Sequence, residues 1–163
     1  MIDTQLLIVG FDALMSAATA AAVIVAARQL AMSRDQGITG FEDNLNHQYR
    51  EITKTIPVEA LLGGRLSADQ QEQSLGSFYH YFDLSNEQAF LRKQGRIRPA
   101  TWDDWRDGIT QNLRKPAFSS AWQEITTRAP SFNDLKELVR LARDLASKHD
   151  DAAQTPLPAA KSP

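Results

Sequence analysis

Hydrophobic positions in this chain form one long continuous run, followed by short periodic stripes. The run extends from Leu6 to Ala27 and contains a single charged residue, Asp12. At about 1.5 Å of helical rise per residue it spans roughly 33 Å, enough to cross the hydrocarbon core of a bilayer. After it, apolar residues recur every three or four positions, and no segment alternates with a period of two over a strand's length. The pattern predicts a mainly α protein with one N-terminal transmembrane helix followed by a small helical domain.

Two other interpretations of the run stay open. A cleaved signal peptide begins with a basic segment and has a short apolar centre, whereas residues 1–5 contain no Lys or Arg and this run is longer. A buried helix of a soluble protein is the second, because alanine is weakly apolar and an Asp at a membrane-helix centre costs about 2.5 to 3.5 kcal/mol. The length of the run favours the span.

The flanking charges predict the orientation of the span. Arg28 and Arg34 follow the run, and no basic residue precedes it. Because basic residues stay on the cytoplasmic side, we expect the N-terminus outside and the helical domain in the cytoplasm.

Turn-forming residues divide the chain into three parts. Residues 5–33 are predicted to form the transmembrane helix and its juxtamembrane extension, and Gly37 and Gly40 mark a break. Residues 41–149 are predicted to form the cytoplasmic domain. Residues 150–163 contain three prolines and no periodic pattern, which predicts a disordered tail.

Within the domain, capping and helix-breaking residues predict where helices begin and end. Three pairs have the spacing of a capping box: Ser67 with Gln70, Thr101 with Asp104, and Ser131 with Asp134. The longest helix is expected to run from about Ala68 to Gly95. Other helices are expected to end at Pro57 and Pro130, and one is expected to begin at Pro116. The predicted inner face of that longest helix is Leu75, Phe78, Tyr79, Phe82, Asn86, Ala89 and Phe90. A buried Asn86 must find hydrogen-bond partners.

Small residues recur at intervals of four along the predicted span. This spacing brings them to one face, where helix backbones approach closely in lipid. A carboxylate within a span usually faces a bundle interior or a water-filled cavity. We therefore predict a homo-oligomer with Asp12, the intramembrane polar residue, at the helix contact. The small residues are Ala13, Ala17 and Ala21, with Ser16 and Ala20 beside them.

Composition excludes several functions. The net charge of −2, with seventeen basic and sixteen acidic residues between Arg28 and His149, gives no evidence for binding a nucleic-acid duplex. The chain has no Cys, which excludes a thiol nucleophile, and no glycine-rich phosphate loop follows a strand. We expect no catalytic residue and no cofactor.

One set of residues has the spacing of metal ligands. His80, Asp83 and Glu87 share a helix face, since they are three and four positions apart. Only His47 and His149 are available to complete a site, and a solvated polar face explains the pattern better. We therefore predict no metal site, and a hydrolytic enzyme ranks last among the functions.

The candidate ligand site is a cluster of four cations, Arg92, Lys93, Arg96 and Arg98, within seven residues and with no acid between them. They either compensate a helix dipole and pair with Asp103, Asp104 or Asp107, or bind an anion such as a nucleotide phosphate or a lipid head group. Arg114 and Lys115 join them if the helices fold back as a hairpin.

The middle of the chain resembles a group of small bacterial proteins of unknown function. The similar residues are the block from Tyr81 to Ile97, together with Trp102, Trp105, Asn112-Leu113, Pro116-Ala117-Phe118 and Trp122. The resemblance implies a single-pass protein of the bacterial inner membrane with a helical cytoplasmic region, and it implies no reaction or ligand.

Two functions follow as expectations. The first is a non-catalytic, membrane-anchored and self-associating protein whose cytoplasmic domain binds a partner. The second is a ligand-gated membrane effector whose domain senses a nucleotide or another small phosphate-bearing signal.

Overall fold

A computed structural model describes the backbone of residues 4–154 and the side chains of residues 14–144. The side chain of Asp12 and residues 155–163 lie outside these ranges. The described backbone is helical and contains no strand, which confirms the mainly α prediction. Its seven helices are α1 (Thr4–Thr53), α2 (Val58–Leu61), α3 (Ala68–Gln73), α4 (Leu75–Lys93), α5 (Pro99–Arg114), α6 (Pro116–Arg128) and α7 (Asn133–Gln154). The chain divides into two compact units between Phe41 and Glu42.

Helix α1 is continuous for 50 residues, so the predicted break at Gly37 and Gly40 is wrong. A glycine inside a helix costs only about 1 kcal/mol relative to alanine, too little to end a helix of this length. The segment Leu14–Thr53 contains a window with a mean hydropathy of 1.5. Among the described residues, this helix alone is long and apolar enough to cross a membrane. The expected long apolar helix is therefore confirmed.

Prolines and one glycine set several helix boundaries, as predicted. Pro116 occupies the first position of α6, and α6 ends two residues before Pro130. Gly95 follows the end of α4 with a φ of 69°, and its N–H donates to the carbonyl of Arg92 (3.0 Å). The next N–H, of Arg96, donates to the carbonyl of Leu91 (3.0 Å). This pair of bonds is the Schellman motif. The motif requires a positive φ at the residue after the helix, which glycine adopts without strain.

One of the three predicted capping boxes forms. Ser67 and Gln70 exchange side-chain and backbone hydrogen bonds at the start of α3. The other two predictions are wrong, because partners distant in sequence replace the local pattern. Thr101 lies inside α5, where its hydroxyl donates to Glu42 (3.0 Å). Helix α7 begins at Asn133, and its first turn is capped by Asn86 of α4.

Helix α4 is the central element of the second unit and packs against α3, α5, α6 and α7. The predicted long helix from Ala68 is divided at Ser74, which separates α3 from α4. Aromatic rings of α4 and α6 meet edge to face, for example Phe78 with Phe118 at 5.0 Å between centroids. The core of the unit is formed chiefly by Ile56, Ala60, Phe78, Tyr81, Phe82, Ile109, Phe118, Trp122, Ile125, Phe132 and Leu135.

The predicted inner face of α4 is partly wrong. Tyr79 and Phe90 are 38% and 47% exposed. Tyr81, Ser85 and Gln88, on a face that the pattern left out, are buried. A single stripe describes a helix at the edge of a core, whereas α4 is covered on several sides and buries polar residues too.

The last helix extends further than predicted. Helix α7 continues to Gln154, whereas the sequence predicts a disordered tail from residue 150. The rest of that predicted tail, residues 155–163, falls beyond the described part.

Candidate functional site

Carboxylates and a backbone carbonyl of the domain contact Lys93, Arg98 and Arg92. Lys93 forms ion pairs with Asp134 (2.8 Å) and Glu137 of α7. Arg98 pairs with Glu42 at 3.2 Å, and Arg92 donates to the carbonyl of Ile97 at 3.3 Å. These contacts hold the end of α4 to α7, and the start of α5 to α1. An anion that binds this cluster therefore competes with carboxylates already in place.

The acidic side chains of α7 displace the titration of Lys93. Hydrogen bonds to Asp134 and then to Glu137 raise the pKa of Lys93 above its ordinary value. The ammonium group is therefore kept charged by its partners on α7.

The predicted ion pairs of the following loop differ from those observed. Asp103 and Asp107 both contact Arg106, at 2.9 and 3.1 Å, within α5 itself. Arg98 pairs with Glu42 rather than with an acid of α5. Arg96, the fourth cation, is exposed in the α4–α5 connection.

A groove of about 900 Å³ lies where α4, α5 and α7 meet, and it collects part of the predicted cluster. Four cations and three acids line it, with apolar side chains of α5 and α7 between them. Arg114 joins Arg92 and Lys93 here, as the hairpin expectation required. Lys115 does not, because its ammonium group donates to Leu61 and Asn112.

A neighbouring depression of about 460 Å³ is lined without any acid. It lies beside the start of α6, and its side chains include Arg65, Arg114, Ser119 and Ser120. Neither arginine forms an ion pair with a residue that the structure describes. Two guanidinium groups with hydroxyls beside them match the chemistry of a phosphate or carboxylate ligand.

The residues considered as metal ligands do not converge. His80, Asp83 and Glu87 are exposed on α4. Within the described part of the chain, no three His, Cys, Asp or Glu side chains are grouped closely enough to hold a metal ion. His149, needed to complete the pattern, has no described side chain.

The sequence did not predict a third site, a cavity of about 190 Å³ between the end of α1, α4 and α5. Its wall combines three aromatic rings, from Tyr49, Tyr81 and Trp105, with the carboxylate of Asp104 and the amide of Gln88. The helical period of 3.6 residues brings these groups to one face of each helix. The residues of α4 are three to four positions apart, and those of α5 occupy positions 104, 105, 108 and 109.

Hydrogen bonds fix two walls of this cavity. The indole N–H of Trp105 donates to Asn46 at 3.0 Å, which holds the ring in place. The phenol oxygen of Tyr81 accepts from Asn112 at 2.9 Å, and burial raises the pKa of Tyr81 well above its ordinary value. The phenol is therefore neutral at physiological pH, and the charge of the wall comes from Asp104 alone.

Gln88 differs from Asn112, the other buried amide among the described residues, which donates a hydrogen bond to Tyr81. It is 4% exposed, yet its amide forms no hydrogen bond with the described residues. Every fully enclosed side-chain nitrogen or oxygen of the described residues has a hydrogen-bond partner. The Gln88 amide is therefore not fully enclosed, and it borders the cavity. Buried amides are normally paired, so an amide that is reached from a cavity is available to hydrogen-bond a ligand or water there. The sequence contained one signal for this position: Gln88 lies four residues after Leu84 and three before Leu91, so it shares a helix face with two leucines.

Comparison with known proteins gives no further assignment. No family, no curated protein and no solved structure matches this chain. The resemblance to small bacterial membrane proteins stays a prediction.

Proposed function

We propose that this chain is a non-catalytic binding protein anchored in a bacterial inner membrane by α1. The observation that carries the proposal is the exposure of the large apolar side chains in α1. These side chains are 53% to 72% exposed, and they are Leu14, Met15, Val23, Ile24, Val25, Leu30 and Met32. Exposed apolar surface costs about 25 cal/mol per Å² in water, a cost that lipid removes.

The distribution of these side chains around α1 favours lipid on all sides of the helix over a protein partner that covers a single side. Val23, Ile24 and Val25 are consecutive, and successive residues of a helix are rotated by about 100°. Apolar groups therefore point in several directions, whereas a helix lying on a protein or membrane surface has one apolar stripe. A helix that is apolar on all sides is typical of a membrane span.

Membrane extraction of the full chain tests the anchor. Wild-type protein should stay in the pellet after carbonate washing and ultracentrifugation. The double variant Met15→Lys, Ala18→Lys should move to the supernatant, because each Lys at a span centre costs about 2.5 to 3.5 kcal/mol. The control is Val58→Lys, Leu62→Lys, which places the same charges on exposed apolar positions of the domain.

Wild-type protein in the supernatant at its full mass would contradict the anchor and favour a soluble helix. A shortened product lacking the N-terminus would favour a cleaved signal peptide.

The proposed orientation places the N-terminus outside and the domain in the cytoplasm. It is supported by Arg28 and Arg34, which follow the apolar run. Since the chain has no Cys, single cysteines are unambiguous reporters. Thr4→Cys should react with a membrane-impermeant maleimide on intact spheroplasts, and Ser120→Cys only after lysis. The reverse pattern would contradict the orientation.

We further propose that α1 associates with copies of itself through the small-residue face and Asp12. Asp12→Ala should reduce chemical crosslinking of the full chain in membranes, because it removes a polar contact within lipid. Asp43→Ala, which removes an acid from the domain end of α1, is the control. Equal crosslinking of wild type and Asp12→Ala would contradict the role of Asp12.

A second candidate function is favoured by the acid-free depression. In this case the domain binds a phosphate-bearing signal through Arg65 and Arg114, and the protein is a ligand-gated effector. Full-length protein in detergent should show a thermal shift with nucleotides that increases with their concentration. Arg65→Glu, Arg114→Glu should remove the shift, and Arg50→Glu, an exposed arginine outside the depression, should preserve it. No shift of the wild type with any nucleotide would exclude this candidate.

A further inference from the structure

The cavity between α1, α4 and α5 has the composition of a site for an organic cation. Three aromatic rings, one carboxylate and one unpaired amide line it, and its wall contains no Lys, Arg or His. The centroids of Tyr49 and Tyr81 are 6.2 Å apart and the rings are tilted by 57°, so the partly exposed ring of Tyr49 rests on the buried ring of Tyr81. Trp105, held by Asn46, supplies a third ring.

Aromatic rings attract cations because the faces of their π systems are negative. The attraction is strongest for tryptophan, and it persists at sites that stay partly exposed to water, as Tyr49 and Asp104 are here. The carboxylate of Asp104 forms no ion pair with the described residues, so it is available to neutralise a bound charge. Both features favour a cation over a neutral or anionic ligand.

The size of the cavity restricts the ligand. Its volume of about 190 Å³ is well below those of the groove and the depression described above, about 900 and 460 Å³. A space of this size admits an ammonium group with a few carbon atoms and does not enclose a whole nucleotide. Gly108 borders the space, and a Cβ added there would meet no atom within 4 Å.

We propose that this cavity binds a small alkylammonium cation. The charged group lies against the rings of Tyr49 and Trp105 and beside Asp104, and the Gln88 amide hydrogen-bonds the polar end of the ligand. The site uses only residues 46–109, so it does not depend on whether α1 crosses a membrane. Failure of the anchor and failure of this site are therefore separate results.

Calorimetric titration of the full chain tests the site, with choline as the probe. A maltoside detergent is used because its head group contains no ammonium. The matched probe is 3,3-dimethylbutan-1-ol, which has the shape of choline without its charge. Choline should bind with a dissociation constant on the order of 1 mM and at least about tenfold more tightly than the alcohol. Sodium chloride at equal ionic strength is the blank.

Variants separate the charge of the site from its shape. Asp104→Asn should remove most of the preference for choline over the alcohol, whereas Asp103→Asn, the same change one residue earlier and outside the cavity wall, should preserve it. Gly108→Leu should abolish binding of both probes, because its side chain occupies the space.

Equal binding of choline and the alcohol, no binding of either, or an unchanged preference in Asp104→Asn would overturn the proposal. If Gly108→Leu does not fold, Asp104→Asn still decides. Glycerophosphocholine distinguishes the source of the cation: weaker binding than choline points to a free solute, and equal binding to a lipid head group.

Discussion

Single buried polar residues connect distant parts of this domain. Glu42 is 5% exposed and accepts three hydrogen bonds, from the backbone N–H of Arg98 (2.8 Å), from its guanidinium (3.2 Å) and from Thr101 (3.0 Å). These bonds link the end of α1 to the start of α5, 56 residues later. No local pattern predicts them, because each residue alone is an ordinary surface type. The sequence therefore assigned Thr101 to a capping box that does not form.

Glu42→Ala should lower the free energy of unfolding by about 2 kcal/mol or more, because it leaves the arginine and the hydroxyl without their buried acceptor. Glu42→Gln, which keeps one acceptor oxygen, should lose less. Urea unfolding in detergent measures both. Glu124→Ala, which breaks an exposed pair with Arg128, should cost at most about 0.5 kcal/mol. Equal losses for Glu42→Ala and Glu124→Ala would contradict this account.

Helix boundaries that a single local residue sets followed from the pattern, and the contacts between helices did not. Periodic apolar positions with Pro116, Pro130 and Gly95 predicted α5, α6 and the end of α4, because these residues act on the backbone locally. The continuity of α1 was missed because two glycines are a weak obstacle to a long helix. The cavity was missed because its residues, from Asn46 to Ile109, are brought together only by packing of three helices.

Asn86 tests how one element depends on another. Its side-chain oxygen accepts from the N–H groups of Asp134 and Leu135, both at 3.1 Å, at the start of α7. Asn86→Ala should destabilise the domain by about 1 kcal/mol, a typical effect of losing a helix cap. Asn86→Asp, which keeps the acceptor, should be close to wild type. Thermal unfolding measures both variants, and identical midpoints for wild type and Asn86→Ala would contradict the cap.

At the scale of the whole molecule, two raised pKa values contribute to the response to alkali. Burial raises the pKa of Tyr81, and its carboxylate partners raise the pKa of Lys93. In both cases the folded state holds its proton to a higher pH than the unfolded state does. The contribution of these two groups to the free energy of unfolding is therefore fully present below about pH 10, and it decreases as the pH rises above that value.

Tyr81→Phe should reduce the alkaline loss of stability, since it removes one of the two linked groups. At neutral pH the same variant should be destabilised by about 1 kcal/mol, because Asn112 loses its acceptor. Unfolding free energies measured from pH 7 to pH 11 give both effects in one series. An alkaline slope that is unchanged in Tyr81→Phe would show that burial of this phenol is not linked to stability.

The cap that α4 provides for α7 also makes the last helix depend on the core. The acceptor on Asn86 lies 48 residues before the first N–H group it caps. A separate peptide with the sequence of α7 has no such acceptor, so its first turn gains the cap only when the helix is docked on α4.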